Sequence, residues 1–283
     1  MFNVHSGFSV AESLGTVARY QNAFGAALVD DDLRSRVPAA FAHSASGHLR
    51  SSYTFIPTAR IVAALHDVGF VPVDARQAQT RRVAPQHARH LLRFRRRLEV
   101  LALGDAVPEL VLINSHDGAS AYQLRLGLYR PVCRNGLMAS LGEFAALHVA
   151  HRGDVVERVV VGALQMSERF TDLGSIVTRM MQRTLETPEL QSFAARALGL
   201  RYPQGVPVGL RAEQLLMPKR AADVGDDLWD VFNVVQEWLL RGGLARRSAQ
   251  GRRGVTRPIR AIREDVRLNT GLWEIATSYL AAA

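Results

Sequence analysis

Hydrophobic and polar positions follow two different rhythms along this chain. Before Gly136, apolar residues alternate with polar ones or form short runs, which predicts strands at residues 70–79, 93–95, 110–114 and 121–129. After Gly136, apolar residues recur every three or four positions, which predicts helices at residues 137–149, 155–185, 187–199, 228–240 and 258–280. One earlier helix is predicted at residues 58–65. This order predicts an α+β fold with a β-rich N-terminal half, which contains an antiparallel ribbon, and a helical C-terminal half.

The N-terminal end and one internal stretch depart from these rhythms. Residues 1–35 are mixed in character and end in three aspartates, so we expect a loosely attached segment with one short helix near residues 11–20. Residues 241–258 are rich in glycine, serine and arginine, which is typical of a mobile basic loop. We expect residues 36–283 to form a single α+β domain that carries this loop.

Positive charge is the main feature of the composition. The 283 residues include 35 lysines and arginines against 26 aspartates and glutamates, a net charge of +9, and Lys219 is the one lysine. Two explanations of the arginine excess stay open: codon usage in a GC-rich genome, and recognition of phosphate by the planar guanidinium group. The net charge predicts an acidic partner, most simply nucleic acid.

Two blocks concentrate this charge. The first, residues 81–97, has nine basic residues and places Phe94 among arginines, as single-strand binding requires for phosphate neutralisation and base stacking. The second, residues 241–267, holds nine arginines among glycines and is expected to become ordered on a polyanion. The residues predicted to contact nucleic acid are Arg89, Arg93, Phe94, Arg95, Arg96, Arg97, Arg125, Arg130, Arg246, Arg247, Arg252 and Arg253.

Candidate catalytic chemistry is sparse. His116-Asp117-Gly118 lies between two predicted strands, and it stays open whether it is a hairpin turn, an acid–base or metal-binding pair, or a nucleic-acid contact. Cys133 lies beside Arg134, whose charge would lower a thiol pKa, but no base is identifiable and a small buried residue is the simpler interpretation. The chain has no Walker sequence, dinucleotide fingerprint or His-Glu-x-x-His motif, so we predict no cofactor, no metal and no catalytic residue.

The sequence also indicates a compartment. One cysteine cannot form an intramolecular disulfide, and no apolar run reaches membrane-spanning length. The first residues lack the basic and apolar regions of a signal peptide. Together these features predict a cytoplasmic protein without membrane contact.

Several strings in the chain resemble the phage- and plasmid-like proteins grouped as domain of unknown function nine-three-two. The most specific is Arg130-Pro-Val-Cys-Arg-Asn-Gly-Leu137. More modest matches are Tyr53-Thr-Phe-Ile-Pro-Thr58, Gly69-Phe-Val-Pro-Val73, Arg89-His90, Arg93-Phe-Arg95, Asn114-Ser-His-Asp-Gly118, Leu228-Trp229, Phe232-Asn233, Gln236-Glu237 and Gly242-Gly243. The resemblance spans roughly residues 50–275 and implies a mobile-element setting without a defined activity. The layout is also similar to single-strand annealing proteins of the RecT, Redβ and Rad type, which implies oligomeric rings or filaments on DNA.

The functional expectation combines these observations. The chain is expected to be a DNA-binding protein of a phage or plasmid, and to bind or anneal single-stranded DNA during recombination as a homo-oligomer. Two alternatives of other classes stay open: a metal-dependent nuclease or hydrolase that uses His116 and Asp117, and an anti-defence factor that binds another protein.

Overall fold

A computed structural model describes residues 27–47, 49, 52–79, 83–97, 103–131, 135–139, 141, 146–206, 209–248 and 251–281 of the protein. The predicted helix near residues 11–20 and the predictions for Arg81, Arg82, Cys133 and Arg134 lie outside the described residues. Within the described ranges, no helix combines the length and the apolar character needed to cross a membrane.

An antiparallel sheet organises the N-terminal half. Its strands lie in the order β1-β2-β3-β4-β5, and β6 pairs with β4 beside β5. The strands are β1 (Phe70–Gln77), β2 (His90–Arg96), β3 (Val107–Asn114), β4 (Tyr122–Arg130), β5 (Asn135–Ala139) and β6 (Leu147–Val149).

Helices precede the sheet and form most of the C-terminal half. They are α1 (Asp30–Arg36), α2 (Thr58–Asp67), α3 (Val155–Glu168), α4 (Phe170–Met181), α5 (Thr187–Arg201), α6 (Leu228–Arg241) and α7 (Ile262–Ala281). The start of α3 is capped by Asp154 and the start of α6 by Asp227, whose carboxylates accept backbone N–H bonds within the first turn. The predicted α+β fold, β-rich first and helical afterwards, is confirmed.

The sheet is covered on both faces, and this determines which side chains reach solvent. On one face Leu92, Phe94 and Leu112 pack with α1, α2 and α3. On the other face Leu91 and Val111 pack against the start of α7. Because β3 lies between two layers of helices, all of its residues are buried.

Three predictions about local structure are wrong. The described residues between 137 and 149 are not helical, because β5 and β6 both pair with the outer side of β4. The described residues between 241 and 258 are not a loop, because β7 (Ala245–Arg247) and β8 (Arg253–Val255) pair as antiparallel strands. The described part of the N-terminal segment is not loosely attached, since Leu33 is fully buried in the core and the Leu28 N–H donates to the Pro72 carbonyl at 2.7 Å.

Candidate nucleic-acid interface

The most strongly charged part of the described structure runs from Arg241 to Arg263, which we call the basic segment. Its 23 residues contain eight arginines and no acidic residue. It comprises the last residue of α6, the β7–β8 hairpin and the extended link into α7. A run of this composition has no counter-charge of its own, which favours attraction of an outside polyanion.

The hairpin is anchored firmly at its base. Leu244 and Thr256 are buried, and the Thr256 N–H donates to the Leu244 carbonyl at 2.8 Å. Gly242 ends α6 with φ +68° and ψ −151°, a conformation that essentially only glycine adopts. A side chain at this position would also come within 2.8 Å of the Arg257 backbone. These contacts at the base therefore fix the orientation of the hairpin relative to the end of α6.

Beyond its base, the hairpin carries like charges that face each other. Arg247 and Arg253 are directly opposite across the two strands, and both are exposed. Like charges in this position destabilise a strand pair. Within the described residues, no carboxylate forms a salt bridge with Arg246, Arg247, Arg252 or Arg253. A bound anion would relieve this repulsion.

The basic segment ends at a groove beside the sheet. The groove has a volume of about 810 Å³ and lies between the ends of β1 and β2 and the first turn of α7. Arg89, Arg260 and Arg263 line it, with Asp117 as one acidic neighbour. Arg76 also lines it, but its guanidinium is paired with Asp265 at 2.7 Å.

Arg89 connects the first basic block to this groove. Partial burial lowers the pKa of Arg89, the nearby positive charge of Arg263 lowers it further, and Asp117 opposes both effects. Its guanidinium donates to the Ala119 carbonyl at 3.1 Å. The structure therefore brings Arg89 together with Arg263, although the two are far apart in sequence.

Arg93 and Phe94 of the first block are buried, which corrects their assignment to a DNA-contacting surface. Arg93 is 2% exposed and donates to the fully buried carboxylate of Glu109 at 2.9 Å. Phe94 is fully buried on the opposite face of the sheet, so it cannot stack on a base. The strand alternation was predicted correctly, but both of its faces are covered by helices.

The other predicted arginines have separate environments. Arg95 pairs with Glu109 at 2.7 Å and lies over the ring of Tyr129. Arg96 and Arg97 line a different cavity, at the far end of β2. Arg125 is half-buried within the sheet, and burial lowers its pKa.

Arg130 is a structural residue, which corrects its assignment to the DNA path. It is 4% exposed, and its guanidinium donates to the carboxylates of Asp105 and Asp223, the latter at 2.6 Å. Asp230 lies 3.9 Å away. Because Asp223 and Asp230 belong to the helical half, Arg130 joins that half to the end of β4.

A buried polar network lies beneath the His116-Asp117-Gly118 turn. His151 Nε2 donates to Asn114 Oδ1 at 3.0 Å, and Asn114 Nδ2 donates to the Thr58 hydroxyl at 3.1 Å. Thr58 in turn donates to His90 Nε2 at 2.8 Å, and His90 Nδ1 donates to the Ala88 carbonyl at 2.9 Å. These directions require a neutral His90, because its Nε2 accepts a hydrogen bond while its Nδ1 donates one.

His116 completes this cluster of three histidines. Its Nε2 lies 3.4 Å from the Thr58 hydroxyl. Burial lowers the pKa of His90 to about 4 and the pKa of His116 to about 3, and the neighbouring His90, His151 and His87 add repulsion at His116. The Nδ1 of His116 makes no hydrogen bond of normal geometry within the described residues, although the Ala39 carbonyl is close to the ring.

His116 and Asp117 do not act on a common point. The His116 ring is fully buried, whereas the Asp117 carboxylate accepts bonds from the Ser115 hydroxyl at 2.6 Å and the Ala119 N–H at 3.0 Å. This is the pattern of a turn stabilised by its aspartate. Thr58 and His90 have the spacing of a nucleophile and base, but Thr58 is fully buried and lines none of the described cavities. Among the described residues, no group of three or more His, Cys, Asp or Glu side chains has the arrangement of a metal site.

Comparison with known proteins places the chain in a family. The family model described as "Domain of unknown function (DUF932)" matches residues 45–273. The chain belongs to the DUF932 family. It is also similar to two proteins of Escherichia coli strain K12, the UPF0380 proteins YafZ and YfjQ, each 37% identical over 275 residues that cover 93% of this chain and 98% of the relative. No solved structure matches the chain.

The part of the chain that matches the DUF932 family includes the whole interface. Arg89, the hairpin and the groove all lie between residues 45 and 273. The sequence-based list of contact residues ended at Arg253, although the second basic block included Arg260 and Arg263. The signal that would have included them is the lack of any acidic residue between Arg241 and Arg263.

Proposed function

We propose that this protein binds single-stranded DNA through its phosphate backbone, using the basic segment and Arg89, and that it promotes annealing of complementary strands. The observation that carries the proposal is the continuity of the acid-free segment from the exposed hairpin to the groove. Guanidinium groups recognise phosphate through paired hydrogen bonds. A path of this kind neutralises successive phosphates of one strand.

The composition of the groove supports binding without sequence preference. Its described lining contains arginine, glutamine, Asp117 and small or aliphatic residues, with no aromatic ring among them for base stacking. Binding would therefore depend on charge, with little contribution from base identity. A groove of about 810 Å³ has room for a short stretch of one strand.

The experiment measures binding of a labelled oligothymidylate of about 30 nucleotides across salt concentrations. Substitution of Arg247, Arg252 and Arg253 by alanine should weaken binding about tenfold or more at low salt. The slope of log K against log salt should become shallower by about 2, because each lost phosphate contact contributes about 0.7. Arg89→Gln with Arg263→Gln should also weaken binding.

A matched control removes the same charge from elsewhere. Arg36, Arg60 and Arg158 are exposed on α1, α2 and α3, which cover the sheet face opposite α7. Their triple replacement by alanine should change affinity and slope far less. Equal losses of affinity in both triple variants would show that binding depends on net charge alone and not on the basic segment. Undetectable binding by the unaltered protein at low salt would contradict the proposal and favour the protein-binding alternative.

Self-association is also part of the proposal. The strands that flank His116-Asp117-Gly118 are β3 and β4, which are internal to the sheet and therefore cannot pair edge to edge between subunits. A filament or ring is still favoured by the gain in affinity from aligning many weak sites on one strand. Light scattering should give a mass several times 31.2 kDa when DNA is present. A monomer at every DNA concentration would contradict this.

A further inference from the structure

A second cavity lies at the opposite end of β2 from the DNA groove. It has a volume of about 750 Å³ and is lined by residues of α1, α2, β1, the end of β2 and the start of β3. Arg89 precedes β2 and Arg97 follows it, so eight residue steps of extended chain, about 26 Å, separate the two sites. The cavity is therefore not part of the proposed DNA path.

The walls of this cavity are apolar. Leu33, Val62 and Phe170 line it and belong to the hydrophobic core, and fourteen of its nineteen lining residues are apolar. The volume lies within the range of pockets that enclose small organic ligands. Such walls favour a ligand with a hydrocarbon body, because each buried methylene group adds to the affinity.

The polar groups of the cavity are mainly cationic. Arg97 and His66 are exposed at its lining and contact each other, since the Arg97 guanidinium donates to His66 Nε2. Arg95 also lines the cavity, but Glu109 balances its charge. Among the described lining residues, Asp30 is the one carboxylate. Arg97 thus gives the cavity a charged donor that matches an anionic head group.

We infer that this cavity binds an amphiphile with one carboxylate head and a hydrocarbon chain, such as a medium-chain fatty acid. The chain occupies the space between Leu33, Val62 and Phe170, and the carboxylate accepts hydrogen bonds from Arg97. The inference is independent of DNA binding and uses none of the residues of the basic segment.

The test uses the full-length protein and three variants. The protein is titrated with dodecanoate and with dodecanol, both below the concentrations at which they aggregate. Binding is measured as displacement of the fluorescent anionic probe anilinonaphthalene sulfonate. Arg97→Ala removes the head-group donor, and Ala63→Trp fills the cavity from the exposed side of α2. Arg60→Ala is the control, because Arg60 is exposed on the same helix and does not line the cavity.

Dodecanoate should displace the probe at a saturable site. Arg97→Ala should weaken dodecanoate binding about tenfold, the effect of one charge-assisted hydrogen bond, and should leave dodecanol binding unchanged. Ala63→Trp should abolish binding of both dodecanoate and dodecanol. Arg60→Ala should leave binding of both unchanged. Equal binding of dodecanoate by the Ala63→Trp variant, or no difference between dodecanoate and dodecanol, would overturn the inference. If residues 1–26 of the chain cover the cavity, the probe does not bind and the inference is wrong.

Discussion

At the scale of single residues, the position of an arginine in the fold determines whether its charge is available. Arg93 and Arg95 share the fully buried carboxylate of Glu109, and that pairing offsets the cost of bringing the two cations into the sheet. Arg247 and Arg253 have no such carboxylate within the described residues. Of these four arginines, only the hairpin pair is suited to a partner outside the molecule.

Glu109→Gln should destabilise the protein by about 3–5 kcal/mol, because it leaves two enclosed guanidinium groups without their counter-charge. Urea denaturation measures the loss as a lower midpoint with an unchanged slope. The matched control is Glu264→Gln, the same change in an exposed pair with Arg267, which should cost about 0.5 kcal/mol or less. Similar losses at both positions would show that Glu109 is not essential to the sheet.

At the scale of elements, the hairpin depends on a short set of contacts at its base. An isolated two-stranded hairpin is marginally stable in water, and in this one two exposed like charges, Arg247 and Arg253, are paired across the strands. The Gly243 N–H donates to the Thr256 carbonyl at 2.9 Å, and the Thr256 N–H donates to the Leu244 carbonyl. The backbone at Gly242 makes this arrangement possible.

Gly242→Ala should loosen the hairpin while the sheet stays folded. The added Cβ meets the backbone of Arg257, and φ +68° with ψ −151° is strained for alanine, so we expect a local cost of about 1–3 kcal/mol. Hydrogen exchange should become faster at the amides of Gly243 and Thr256 and stay unchanged in β3. Gly254→Ala is the control, because a Cβ there meets nothing within 4 Å. Unchanged exchange at Gly243 in the Gly242→Ala variant would contradict the anchoring role of this glycine.

At the scale of the whole molecule, the sequence predicted the class of fold but not the burial of its charges. Period-two alternation correctly indicated β2, β3 and β4, and period-three to four recurrence indicated α3 to α7. The burial of Arg93 could not be predicted, because Glu109 is 16 residues away and is brought beside Arg93 only by the strand register. Residues 137–149 were assigned to a helix because β5 and β6 are too short for their period to be distinctive.

The buried histidines make stability depend on pH. His90 and His116 are neutral in the folded protein, with pKa values of about 4 and about 3, whereas the unfolded chain takes up protons below about pH 6.5. The stability that they contribute is present above pH 6.5 and is lost as pH falls from there towards 4. Each histidine contributes a slope of about 1.4 kcal/mol per pH unit in this window. Asp230 acts in the opposite direction, because burial raises its pKa to about 6.

The variant His116→Gln isolates this effect. The free energy of unfolding, measured by denaturation from pH 8 to pH 4, should fall less steeply for this variant than for the unaltered protein. Below pH 6 the two slopes should differ by about 1.4 kcal/mol per pH unit. His148 is exposed, and His148→Gln should leave the pH profile unchanged. Parallel profiles for His116→Gln and the unaltered protein would show that His116 is not held neutral.

The contacts of Arg130 also determine when the end of β4 gains its ion pairs during synthesis of the chain. Its guanidinium is paired with Asp223, 93 residues later in the chain, and lies near Asp230. When the sheet first leaves the ribosome, neither aspartate has been made, and Arg130 lacks the carboxylates that the helical half supplies. We expect the nascent sheet to remain open to proteases at the end of β4 until residue 230 emerges. Limited proteolysis of stalled chains that end before and after residue 230 measures that interval.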